Sequence, residues 1–138
     1  TLMAKALGID YGTKRTGIAI SDATQLIATC LDTIDTHKLD EYISKLINSE
    51  NIDCFVVGYP VDLKNNNTDV TGHVKGFVKR LKNKYPNKKI YLIDERFTSK
   101  MAQKAIIESG IKKRKRREKS LVDKISATII LQDYLNLN

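Results

Sequence analysis

Lys5-Ala6-Leu7-Gly8-Ile9-Asp10-Tyr11-Gly12-Thr13-Lys14-Arg15-Thr16-Gly17-Ile18-Ala19-Ile20-Ser21 is the stretch that decides the architecture. Two short apolar runs flank a five-residue turn at 11–15, in which Gly12 is free to take a positive φ. A third β-branched run, LIATCLDTI at 26–34, follows after a short polar break. Strands joined by such short connections must be neighbours and antiparallel. Residues 4–10, 16–21 and 26–34 therefore read as a three-strand meander. Ser21 and Asp22 fall at the end of the sheet opposite Asp10, and there they read as turn formers.

Outward from the meander the period changes. Leu39, Ile43, Leu46 and Ile47 mark one face of a helix near 37–49. IDCFVVG at 52–58 is almost continuously apolar, as a central strand covered on both faces must be. Residues 59–71 are polar, with three asparagines at 65–67, and read as a loop. Val70, Val74, Phe77, Val78 and Leu81 mark a second helix, stopped before Pro86. IYLI at 90–93 is the last strand. Thr98 is placed to cap a third helix ending at Gly110. A final helix over 120–136 turns Leu121, Val122, Ile125, Ile129 and Tyr134 inward. The fold class is α/β: a mixed five-stranded sheet of an antiparallel meander plus two parallel strands, with helices on both faces. One domain over 3–138 is expected, with Thr1-Leu2 ahead of Met3 left outside it.

The chain has 138 residues, 41% hydrophobic and 29% charged, which suits a folded globular protein. No apolar run approaches the ~20 residues of a membrane helix, and no charged-then-apolar leader is seen. Cys30 and Cys54 lack the spacing of a disulfide framework or a zinc site and suit a reducing cytoplasm. Cys54 reads as core, and Cys30 also. His37 and His73 have no acidic or cysteine partner nearby and read as surface residues.

The net charge of +8 is unevenly spread: residues 1–74 carry −4 and residues 75–138 carry +12. Lys112-Lys113-Arg114-Lys115-Arg116-Arg117 is an unbroken basic run. Repulsion within it opposes ordering unless a polyanion neutralises it, and its arginines can grip phosphate. A solvated basic loop is the plain alternative; a nucleic-acid partner is the reading preferred here. Residues 111–119 carry too little apolar surface for a membrane-binding helix.

Asp10 ends the first strand, Glu95 follows the last, and Asp123 sits near the start of the final helix. In open α/β sheets ligands gather outside the carboxyl ends of the strands. Those ends can draw the three acids together only if the first strand lies centrally, beside that at 52–58. Three clustered carboxylates repel one another, and hard divalent cations relieve the repulsion. Oxygen ligands suit Mg²⁺ or Mn²⁺, and two such ions ~4 Å apart would serve phosphodiester cleavage. Each acid has a bland alternative: Asp10 a turn residue, Glu95 an ion-pair member, Asp123 part of a helix-start pattern with Ser120. Lys14 and Arg15 adjoin Asp10 and could hold a scissile phosphate; Arg96 beside Glu95 could do the same.

Residues 8–22, GIDYGTKRTGIAISD, resemble the opening signature of the YqgF family, also called the Holliday junction resolvase-like family. Val57-Gly58-Tyr59-Pro60 looks like its central strand and loop. Asp94-Glu95-Arg96-Phe97-Thr98-Ser99 is similar to its Asp-Glu-Arg-Leu-Thr-Thr segment. The basic run followed by Val122-Asp123-Lys124-Ile125-Ser126-Ala127 is similar to its C-terminal block. The departures are Phe97 for leucine and an unusual loop at 59 and 65–67. The resemblance implies a ribonuclease H-like fold and a metal-dependent nuclease with Asp10, Glu95 and Asp123 as its metal-binding catalytic acids. It further implies a cytoplasmic role in maturing the 5′ end of precursor 16S ribosomal RNA, structured RNA being the partner. A branched-DNA resolvase activity is the alternative, as is a non-catalytic nucleic-acid-binding assembly factor. Sparse aromatics (7%) disfavour a dedicated RNA-binding module. The Asp-x-Gly-x-Lys pattern also resembles the phosphate hairpin of the actin, Hsp70 and sugar-kinase ATPases, but no second glycine-rich loop is present.

Overall fold

A computed structural model describes residues 4–59, 69–94 and 119–137. The sheet has five strands in the order β3-β2-β1-β4-β5. They are β1 (Lys5–Asp10), β2 (Arg15–Ser21), β3 (Ala28–Asp35), β4 (Ile52–Tyr59) and β5 (Lys89–Asp94). The meander is present: β1 pairs antiparallel with β2, and β2 with β3. β4 runs parallel to β1 and β5 parallel to β4, so β1, β4 and β5 all end at one edge. The first strand is central and lies beside 52–58, the arrangement that clustering of the acids required.

Side-chain alternation sorts the two faces. Leu7 and Ile9 of β1 point with Phe55 and Val57 of β4 into the larger core. There they meet Leu39 and Ile43 of α1 (Leu39–Ser49), with Leu46 and Ile47 partly buried beside them, and Val74, Phe77, Val78 and Leu81 of α2 (Asp69–Lys84), as the helical stripes predicted; the side chain of Val70 lies outside the described residues. A short 3₁₀ turn, Thr36–Lys38, leads from β3 into α1. The opposite face presents Ala6, Ala19, Cys54 and Val56 to α3 (Lys119–Asn136). Gly8 belongs to this face. A Cβ built there would lie 2.7 Å from Leu131 Cβ and 3.1 Å from the Ala127 carbonyl oxygen. Small residues on the central strands thus let α3 press close to the sheet.

That close approach corrects the expected inward face of α3. Its buried residues include Ala127, Ile130, Leu131 and Leu135, while Ile125, Ile129 and Tyr134 are only half-buried. The side chains of Leu121 and Val122 lie outside the described residues. The strip that meets Gly8 and Ala19, with Ile130 and Leu131 fully buried in it, sets the inward face.

Cys54 is buried, and that burial pushes its thiol pKa up. Cys30 is exposed, contrary to the core reading. It lies on the edge strand, its Sγ 2.9 Å from Thr128 Oγ1. Ile18 pairs with Asp32 but Ala19 with Cys30, leaving Leu31 as an extra residue that bulges the edge. The third strand also starts later than expected, at Ala28. Leu26 and Ile27 give their N–H groups to the Asp22 carboxylate (2.9 and 2.8 Å) and stay exposed. His37 and His73 are exposed, as expected. The expected helix over 98–110 lies outside the described residues. No described helix is long and apolar enough to cross a membrane.

Candidate active site

The site begins where β1 stops. Asp10 pairs across the ladder with Gly17 and shares its face with Gly8, the face that α3 covers. The next residue, Tyr11, turns to the other face and is buried there. Its ring stacks on Phe77 of α2 at 5.0 Å and 25°. Asp10 is therefore held between two anchored neighbours, Ile9 and Tyr11, both locked in the larger core.

Gly12 is needed at the turn, but not for a positive φ. Its φ is outside the left-handed region, and a Cβ there would lie 2.2 Å from the Arg15 carbonyl oxygen. The backbone folds back on itself too tightly for any side chain. Lys14 stands exposed at the tip, and Arg15 is half-buried at the start of β2.

Thr36, just past β3, fastens this turn. Its Oγ1 donates to the Gly12 carbonyl (2.6 Å) and its N–H donates to the Lys14 carbonyl (2.9 Å). A hydroxyl has one proton, and Gly12 takes it. The buried Thr16 hydroxyl must then be the donor in its 2.9 Å bond to Thr36 Oγ1. Thr36, in the 3₁₀ turn after β3, and Thr16 of β2 thus hold the turn that carries Lys14. The sequence reading missed both. Threonines on strands are common, and nothing local reveals a bond spanning 24 residues.

The other acids are reached through the backbone. Tyr59 of β4 pairs with Asp94, the last residue of β5, at the edge where β1 ends. Glu95 and Arg96 lie outside the described residues, as does the basic run Lys112, Lys113, Arg114, Lys115, Arg116 and Arg117. The backbone of Asp123 is in the second turn of α3. Tyr134 near the other end of α3 packs on Tyr91 and reaches Cys54, close to where β4 and β5 begin. Ala127 and Leu131 lie over Gly8. Following α3 towards its N-terminus therefore leads along β1 towards Asp10. The four residues from Ala127 to Asp123 rise ~6 Å and the two from Gly8 to Asp10 about as much, so the two backbones come level. The side chain of Asp123 lies outside the described residues. Among the described residues no three His, Cys, Asp or Glu side chains group to hold a metal. A depression of about 450 Å³ lined by Asp53, Lys84 and Lys88 lies at the opposite edge of the sheet, away from the strands' carboxyl ends.

A family model described as "RuvX: Holliday junction resolvase" matches residues 4–137. A protein of Bacteroides fragilis (strain YCH46) described as "Putative pre-16S rRNA nuclease" is 43% identical over 133 residues, 96% of each chain. One of the same description from Flavobacterium johnsoniae is 42% identical over 134 residues, 97% of each chain. Among solved structures, "T. thermophilus RuvC in complex with Holliday junction substrate" superposes with a TM-score of 0.62 at 16% identity, covering 98% of this chain and 96% of that one. At that identity the likeness shows the fold alone, which is ribonuclease H-like. The motifs quoted from the sequence, the central β1 and the match from end to end agree: the chain belongs to the RuvX family, also known as the YqgF family.

Proposed function

We propose that this chain is a divalent-metal-dependent nuclease that hydrolyses phosphodiester bonds in structured RNA, and that it matures the 5′ end of precursor 16S rRNA in the cytoplasm. The observation that carries the reading is Asp10 at the end of the central strand, on the sheet face along which α3 brings the backbone of Asp123 level with it. The 43% identity to relatives named as pre-16S rRNA nucleases supplies the substrate class.

Asp10, Glu95 and Asp123 are the residues that would hold the ions. Glu95 directly follows Asp94, the last residue of β5, in the sequence. The donor set is oxygen only, which suits Mg²⁺ or Mn²⁺ and disfavours zinc. Two ions bound there would stabilise charge on the attacking and leaving oxygens of the cleaved bond. Lys14, Arg15 and Arg96 hold the scissile phosphate in this reading. Lys112, Lys113, Arg114, Lys115, Arg116 and Arg117 grip the flanking backbone by charge.

The test is cleavage of a precursor 16S 5′-end transcript with Mg²⁺, run beside a four-way DNA junction, for wild type and Asp10→Asn. Metal-dependent cutting of the RNA that Asp10→Asn loses is the expected result. Preferential, Asp10-dependent cutting of the junction would make the chain a DNA resolvase. RNA binding with no Asp10-dependent cutting of either would leave it a non-catalytic assembly factor.

A further inference from the structure

We propose that the exposed face of α2 is a second contact surface for the phosphate backbone of the RNA, leading the strand away from the site along the helix; this rests on the nuclease reading above. Between Gly72 and Lys84 the helix carries no acidic residue. Its inward side is filled by Val74, Phe77, Val78 and Leu81. At 3.6 residues per turn, Gly72, Gly76 and Lys79 fall along the middle of the outward side, with Lys75 and Lys82 on one flank. All five are exposed. Lys75, Lys79 and Lys82 make no ion pair with another described residue, whereas Arg80 on the other flank reaches Asp40 at 3.8 Å and the Phe77 ring at 5.8 Å. The three lysines span ~10 Å of helix, a continuous positive strip.

The two glycines are the second observation. Glycine is a poor helix former and is found inside helices where something must come close. Among the described residues, a Cβ on Gly72 would meet nothing within 4 Å, and one on Gly76 would meet only the Arg80 guanidinium at 3.8 Å. The packing of the described residues requires neither glycine. Bare backbone between lysines lets a phosphate chain lie low against the helix. A second copy of this chain would bring like charges together, so the occupant is the polyanion.

Position joins the strip to the site. Phe77 stacks on Tyr11, next to Asp10, while Tyr85 just beyond α2 packs on Phe55 and Lys88 Nζ donates to the Ile52 carbonyl at the far edge. The helix therefore starts near the site and runs down the larger-core face.

The experiment is a salt titration of binding to a labelled RNA hairpin with a single-stranded 5′ extension, Ca²⁺ replacing Mg²⁺. The Lys75→Gln/Lys79→Gln/Lys82→Gln variant takes the net charge from +8 to +5. It should flatten the slope of log affinity against log salt by roughly 2–3 units, and the same three lysines changed to Arg should restore it. A control triple, Lys38→Gln/Lys45→Gln/Lys89→Gln, removes equal charge elsewhere and should flatten it by less than about 1 unit. A slope unchanged in the strip variant, or equally flattened in the control, overturns the proposal. If cleavage is Asp10-dependent but the strip variant keeps its slope, the strip falls and the nuclease stands. If the strip variant loses slope while no Asp10-dependent cleavage is found, the nuclease falls and the binding surface stands.

Discussion

The turn after β1 and the turn after β2 both follow a strand-end aspartate, yet they are built on different plans. In the second, Asp22 is the fastening. Its carboxylate accepts N–H bonds from Thr24, Leu26 and Ile27 and a hydroxyl bond from Thr24. These bonds hold its pKa far below the usual carboxylate range, with the Thr24 hydroxyl the largest cause. The Gln25 side chain adds a bond to the Ala4 carbonyl (2.9 Å), and Gln132 of α3 holds the Leu26 carbonyl (3.0 Å). In the first turn the fastening comes from outside, from Thr36 across the sheet. Thr36 serves carbonyl oxygens, a task that a carboxylate, which only accepts, cannot perform. Strand-end aspartates thus look alike in sequence while their turns assign them different work.

The largest break in the comparison is a pair of substitutions. Asp10→Asn should lower metal-dependent cleavage about 1000-fold, roughly 4 kcal/mol of barrier, while leaving the melting temperature nearly unchanged. Asp22→Asn should do the reverse, lowering the melting temperature and leaving kcat intact. Single-turnover rates and thermal melts on the same preparations decide it. Equal cleavage in wild type and Asp10→Asn would end the catalytic assignment of Asp10.

Smaller but sharper is Thr36→Val. It removes the donor to Gly12 and strands the buried Thr16 hydroxyl, at a cost of about 1–3 kcal/mol of stability. Loosening the turn that presents Lys14 should lower kcat/KM on the order of 10- to 100-fold at temperatures where the protein is still folded. Thr36→Ser keeps the hydroxyl and should recover most of both. Loss of stability with full activity would show that the clamp supports the fold only.

Sequence alone carried the backbone plan and failed where distant partners decide. The meander, the continuous apolar run of β4 and the helical stripes of α1 and α2 are local patterns with one solution each. Asp22 too was legible as a turn former, because its partners lie within five residues. Cys30 was not legible, since apolar neighbours in a run cannot reveal that the strand is an edge with a bulge at Leu31. The inward face of α3 depends on Gly8, more than 100 residues away, and Thr36 on carbonyls across the hairpin. For the site, the sequence pointed to the strand edge where Asp10 lies, but not to the threonines that shape it.

The smallest expected effect probes the second turn by pH. Asp22 lies at the surface, so its bonds are weakened by solvent and its contribution to stability is modest. The direction is nevertheless fixed by linkage. Its folded-state pKa lies below the ordinary 3.8, so the unfolded chain binds the proton first as pH falls. The stability that the Asp22 carboxylate supplies is therefore complete well above pH 3.8 and drains away as pH falls below it. Asp22→Ala deletes the carboxylate and should melt at a lower temperature than wild type at neutral pH. That gap should hold steady down to about pH 5 and narrow as acid is added further. Thermal melts of wild type and Asp22→Ala across pH 3–7 make the comparison, and a gap that stays constant to the acid end would show that the backbone bonds, and not the carboxylate, hold the second turn.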